Sequence, residues 1–187
     1  MKHSFLLVVS IAALGLGGCG KKAEKPVTEN STTVNDVSIT QPVASPQATP
    51  GQAFADAAAA SDKFEIESSK LAATQAKSAN VKHFAEEMIK AHTDSTAKLI
   101  SAAAAASPAI VPSPTLTPAQ QQTLDGLASK SGAEFDKAYA DAQRSGHQAT
   151  LDALKAYSAS GDVPSLKAFA TKLVPIVTAH LNMAKGL

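Results

Sequence analysis

The stretch that decides the fold is VKHFAEEMIKAHTDSTAKLI, Val81 to Ile100. Val81, Phe84, Ala85, Met88, His92, Ser95 and Leu99 recur at steps of three and four, so on a helix they share one face. Lys82, Glu86, Lys90 and Lys98 fall on or near the other side. That pattern predicts an amphipathic helix. The odd member of its inner face is His92, a titratable group in line with Met88 and Leu99.

Working outward, three further segments repeat the pattern. Gln52 to Ala76 keeps Phe54, Ala57, Ala58, Ser61, Glu65, Ser68 and Ala72 on one face, which carries Glu65 inward. A helix from Ser131 to about Gly161 places Phe135, Ala138, Tyr139, Ala142, Leu151 and Leu154 together, with Gly146 breaking the stripe and His147 beside it. Val163 to Ala184 has the clearest stripe: Leu166, Phe169, Ala170, Leu173, Val177, His180, Leu181 and Ala184. Pro175 interrupts it and is expected to kink it. Asn80 is the expected N-cap of the Val81 helix, and Ser107-Pro108 its stop. Pro108 to Thr117 reads as a loop. Thr117-Pro118 opens a short helix to about Ser129, with Leu124, Leu127 and Ala128 inward. Ser131 with Glu134 has capping-box spacing, and Asp162 is placed to cap the last helix. Four long helices and a short one predict an all-α, up-and-down four-helix bundle over residues 52–187.

Composition agrees. The chain has 187 residues, a formal net charge of +1, 4% aromatic residues and no Trp. Its abundant Ala favours helices that approach closely and argues against a β-sandwich. The charge balance leaves no basic footprint for nucleic acid.

The N-terminus has a different plan. Residues 1–18 read as a signal peptide, with Lys2 and His3 ahead of an apolar run from Phe5 to Leu16. That run is too short to span a bilayer in the usual way. Leu16-Gly17-Gly18-Cys19 resembles a bacterial lipobox, in which the cysteine is lipidated and becomes the new N-terminus. Cys19 is the single cysteine, which excludes an internal disulfide. Residues 20–51 spread Pro26, Pro42, Pro46 and Pro50 among Thr, Ser, Asn and Gln with no lasting period. They read as a disordered linker that would hold the domain on the order of 30 Å from the membrane. The expected setting is therefore the bacterial envelope, facing the periplasm. Gly20 after the cysteine, where inner-membrane retention is associated with Asp, favours the outer membrane.

The folded part also resembles a known family. Glu65-Ile66-Glu67 with Lys70-Leu71-Ala72, Val81-Lys82-His83-Phe84-Ala85 leading to Met88-Ile89 and His92-Thr93, Ser131-Gly132 with Phe135-Asp136 and Tyr139, His147, and Leu173-Val174-Pro175 followed by His180-Leu181 look like a ferritin-like family of bacterial envelope proteins, a domain of unknown function whose members are often called outer membrane proteins. The resemblance covers about Gln52 to Leu187 and implies a ferritin-like bundle. It departs at Ala91, where the family has an Asp before the histidine. The family has no settled activity, so it implies no partner or ligand.

Two chemical readings of the inward polar residues stand side by side. In one, Glu65, His92, His147 and His180, one from each long helix, hold a transition metal such as iron, zinc, copper or manganese. In the other, they hydrogen-bond one another, Tyr139 or water in a core without metal. A di-iron oxidase site needs Glu-x-x-His on two helices, and the chain has none. Nucleophile elbows, phosphate loops and zinc-protease patterns are missing too. The functional expectation is a non-enzymatic, membrane-tethered binding or stress-related module, with a metal-binding or redox protein as the alternative.

Overall fold

The structure is a computed structural model, and it describes residues 48–187. The proposed signal, Cys19 and nearly all of the linker lie outside the described residues. Five helices follow in order: α1 Pro50–Gln75, α2 Ala79–Ala104, α3 Pro118–Ala128, α4 Gly132–Ser160 and α5 Pro164–Lys185. The expected all-α bundle with one short extra helix is what forms.

α1 packs along α2 and α4 along α5, while α1–α4 and α2–α5 contacts close the ring. The end of α1 meets the start of α4 through an Ala76–Gly132 bridge. At the same end, Lys77 and Ser78 donate their backbone N–H groups to Asp136 at 3.0 and 2.9 Å. At the other end Phe54 stacks on Tyr157, ring centroids 3.9 Å apart. Each long helix thus runs antiparallel to both neighbours in the ring, and the chain from Ala105 to Ser131 crosses back along the bundle. α2 and α4 consequently run in the same direction across a diagonal, the arrangement of ferritin-like bundles with one long crossover. α3 sits on this crossover against α1 and α4.

Local signals explain the boundaries, with four corrections. α1 begins two residues before Gln52, because Thr49 accepts the Gln52 N–H and Pro50 occupies the first turn. α2 is capped by Ser78 rather than Asn80, its hydroxyl accepting from Val81 N at 3.4 Å. Ser131 makes no side-chain cap bond, so the Ser131–Glu134 box does not form. Gly132 enters α4 with φ +63°, a conformation glycine adopts without strain, and this turn sets the entry angle. Asp162 likewise does not cap α5; it accepts the Tyr157 hydroxyl at 2.8 Å. The Thr117 box does form, with Gln120 returning its side chain to Thr117 N at 2.9 Å. α5 is assigned as one helix through the exposed Pro175.

The core divides into two apolar clusters. One holds Ala55, Ala59, Leu99, Leu151, Leu154, Leu166, Phe169, Leu173 and Val177. The other holds Val81, Phe84, Met88, Leu127, Phe135 and Tyr139. Between them lies a polar layer of buried Asp62, Glu65, Ser68, Ser69, His92, Gln143 and His147. At about 25 cal/mol per Å² of apolar surface, the clusters supply the stability that lets a polar layer persist. The layer itself gains little unless its groups find partners.

Candidate metal centre

α2, α4 and α5 bring His92, His147 and His180 face to face in the polar layer. Their ring centroids form a nearly equilateral triangle, with separations of 5.6 Å for His92–His147, 5.6 Å for His92–His180 and 5.5 Å for His147–His180. One ring nitrogen of each lies within 4.8 Å of the others. Metal–imidazole bonds of about 2.0 Å place three coplanar nitrogens about 3.5 Å apart, so each ring has to move inward by less than about 1 Å. That is within reach of small rotations about the side-chain bonds.

The rings are oriented by bonds on their far sides. His92 Nδ1 donates to Asp62 Oδ1 at 2.8 Å, and Asp62 Oδ2 accepts from Thr96 Oγ1 at 3.2 Å. His147 Nδ1 donates to the Gln143 carbonyl at 2.9 Å. In the neutral rings, with those nitrogens engaged as donors, the lone pairs belong to Nε2 of His92 and Nε2 of His147. Both Nε2 atoms, and Nδ1 of His180, are buried without a hydrogen-bond partner among the described residues. Three buried nitrogens in search of a partner, in a layer where each unmade bond costs on the order of 1–3 kcal/mol, are the unusual feature of this core. Paired histidines would spend those lone pairs on one another, and these do not.

Glu65 stands beside the triangle rather than among its three nitrogens. Its Oε1 is 3.7 Å from His147 Nδ1. Gly146 admits it: a Cβ at that position would lie 3.0 Å from Glu65 Oε1. Glu65 Oε2 has no partner among the described residues. Tyr139 turns away from the histidines and shares a 2.7 Å hydrogen bond with Ser69. Burial holds the Tyr139 phenol above its usual range. Gln143 links to Ser68 through its amide at 3.2 Å. Asp62 is the functional residue that the stripe reading misses. Its signal is a second stripe on α1, Asp62-Glu65-Ser69-Ala72 at steps of three, four and three.

Electrostatics favour neutral imidazoles at two of the three positions. Burial, with the His92 charge behind it, pushes His147 down to about 3 and His180 down to about 4. His92 differs: burial pulls it down, but the Asp62 hydrogen bond and the charges of Glu65 and Asp62 together hold it above its ordinary value. Burial pushes Glu65 up to about 7, against the opposing influence of His92 and Gln143. A metal needs unprotonated nitrogens, and this environment keeps His147 and His180 unprotonated at neutral pH.

A small cleft of about 20 Å³ between α2 and α5 reaches this layer; His92, Ser95, Lys98, Ile176 and His180 are among the residues lining it. Among the described residues no helix is long and apolar enough to cross a membrane.

Residues 38–187 match the family described as Domain of unknown function (DUF4142), and the chain belongs to that family. A comparison with curated proteins gives no match. Among solved structures the chain is similar to "CopM in the Cu(I)-bound form", with 16% identity, a TM-score of 0.60, and coverage of 75% of this chain and 95% of that one. At that identity the likeness is one of fold.

Proposed function

We propose that this chain is a copper-binding helical bundle of the bacterial envelope, whose His92, His147 and His180 take up one copper ion. The observation that carries the reading is the convergence of three histidines from three helices, one ring nitrogen of each within 4.8 Å of the others, in a layer where each ring has a buried nitrogen without a partner among the described residues. Imidazole donors suit copper, zinc, iron and nickel, and affinity among divalent ions peaks at copper. Manganese, a harder ion, prefers carboxylate oxygen, and the cluster of three contains none. The bound copper named for the similar bundle points the same way.

Asp62 and the Gln143 carbonyl support the site as outer partners, fixing the tautomers of His92 and His147. Glu65, the fourth ligand of the sequence reading, is a buried carboxyl beside His147 whose ionised form a bound cation would favour. Chemistry on a substrate is not part of this reading. The protein holds copper, and a lipid on Cys19 would tether it facing the periplasm, with the outer membrane favoured by Gly20.

The test is an anaerobic titration of the purified chain with Cu(I) and, separately, with Zn(II) and Fe(II), against a chromogenic competitor. One tightly held copper per chain, lost in His92→Ala and in His147→Ala, supports the reading. Copper uptake that both variants retain in full overturns it.

A further inference from the structure

The three histidines are not held alike. His92 is fixed by Asp62 and His147 by the Gln143 carbonyl, and both are almost fully buried, at 4% and 1% exposure. His180 shows no counterpart of those bonds among the described residues, and it is only partly buried. The α2–α5 cleft ends on His92 and His180, and its other polar lining residues are Ser95 and Lys98, with no carboxylate. The α1–α4 side is filled by Glu65 and Gln143, both fully buried. A larger pocket along α1 and α4 ends on Glu65 and is lined by none of the three histidines, whereas the α2–α5 cleft opens directly on two of them, with a hydroxyl and a cation around it.

Three imidazoles leave Cu(II), which favours a tetragonal set of donors, with an open position for water or an outside donor. We propose that an ion held by His92, His147 and His180 keeps its open coordination position facing the α2–α5 cleft, where it accepts one small monoanionic donor. The inference rests on the copper reading. The cleft volume of about 20 Å³ suits a single donor atom at the metal, since one water needs roughly 10–15 Å³ of such space. Lys98 lines the cleft and favours an anion over a neutral donor. The step is a ligand exchange: a water leaves the metal, the anion takes its place, and no electron moves. Halides, thiolates and azide share this chemistry; a thiolate donor would mark the cleft as a place where copper is handed over, a halide or azide as an exchangeable position only.

Azide is the probe. The full chain is loaded with Cu(II) and titrated with sodium azide, followed by electron paramagnetic resonance and by the charge-transfer band that azide gives on Cu(II). The expected result is a saturable new band with one azide per copper. Lys98→Glu lies outside the ligand set. It is expected to weaken azide binding by about threefold, the scale of an exposed charge interaction, and to leave copper stoichiometry unchanged. Copper that binds while its spectra ignore azide overturns the open position and leaves the copper reading standing. An azide response that Lys98→Glu leaves untouched overturns the placement at the cleft. A chain that takes up no copper overturns both.

Discussion

The Nδ1–H of His92, on α2, donates to Oδ1 of Asp62, on α1, across 2.8 Å in the buried centre of the bundle. Both side chains are nearly inaccessible, at 5% and 7% exposure. The bond turns the His92 lone pair toward His147 and His180 and raises its basicity, as a carboxylate behind a metal-bound histidine does. Asp62→Asn keeps the shape but weakens the acceptor. Copper affinity is expected to drop about 10- to 100-fold, measured by competition at fixed pH, with the fold intact by circular dichroism. An unchanged affinity would show that His92 needs no such partner.

The layer also predicts opposing pH dependences, which single variants separate. His147 and His180 have folded values pushed down to about 3 and about 4 from 6.5. Below pH 6.5 the unfolded chain therefore binds more protons at these positions, and their contribution to stability falls as pH drops toward 4. His92 has the opposite sign: its raised folded value adds stability below its unfolded value, lost as pH rises through the folded one. His180→Gln removes one acid-sensitive group. Measured by urea unfolding without metal, the variant should gain on the wild type as pH falls from 6.5 to 4. Parallel curves would contradict a buried neutral His180.

Glu65 gives a second handle of the other sign. Its folded value of about 7 lies above the ordinary 4.5. Its contribution is present below 4.5 and lost as pH rises through 7. Glu65→Gln should therefore gain stability on the wild type between those limits, by about 3 kcal/mol at most, since each pKa unit corresponds to 1.36 kcal/mol. A variant that loses ground as pH rises would reverse the sign and contradict the account of Glu65.

Tyr139 distinguishes the core from the metal centre. Its hydroxyl is bound to Ser69, 2.7 Å away, rather than to a histidine. Tyr139→Phe leaves the buried Ser69 hydroxyl without that partner and should cost about 1–2 kcal/mol in urea unfolding. Copper affinity should stay as in the wild type. A large loss of copper with no loss of stability would place Tyr139 at the metal instead.

Much of this was legible in the residues. The five helices, the Pro-rich crossover and the Thr117 cap follow from punctuation and periodicity. The inward positions of His92 and His147 follow from the large apolar residues flanking each of them. α1 was harder. It is built of Ala and Ser, which sit inside or outside at similar cost, so its stripe is weakly defined. The stripe puts Phe54, Ala57 and Ala58 inside; Phe54 and Ala58 are partly buried against the core, but Ala57 is exposed, and Ala55, Ala59 and Asp62 are the buried positions. Rotating α1 in this way is what brings Asp62 to His92. Ala128 likewise ends exposed, because α3 stops there. Tertiary turns also displaced two caps: Gly132 sets the entry to α4, and Tyr157 claims Asp162.

X-ray absorption at the copper edge of the loaded chain tests the central claim most directly. The account predicts one copper per chain with three imidazole nitrogens at about 2.0 Å, and loss of imidazole scattering in His92→Ala. A copper surrounded by oxygen or sulfur, or a spectrum that His92→Ala leaves unchanged, would contradict it.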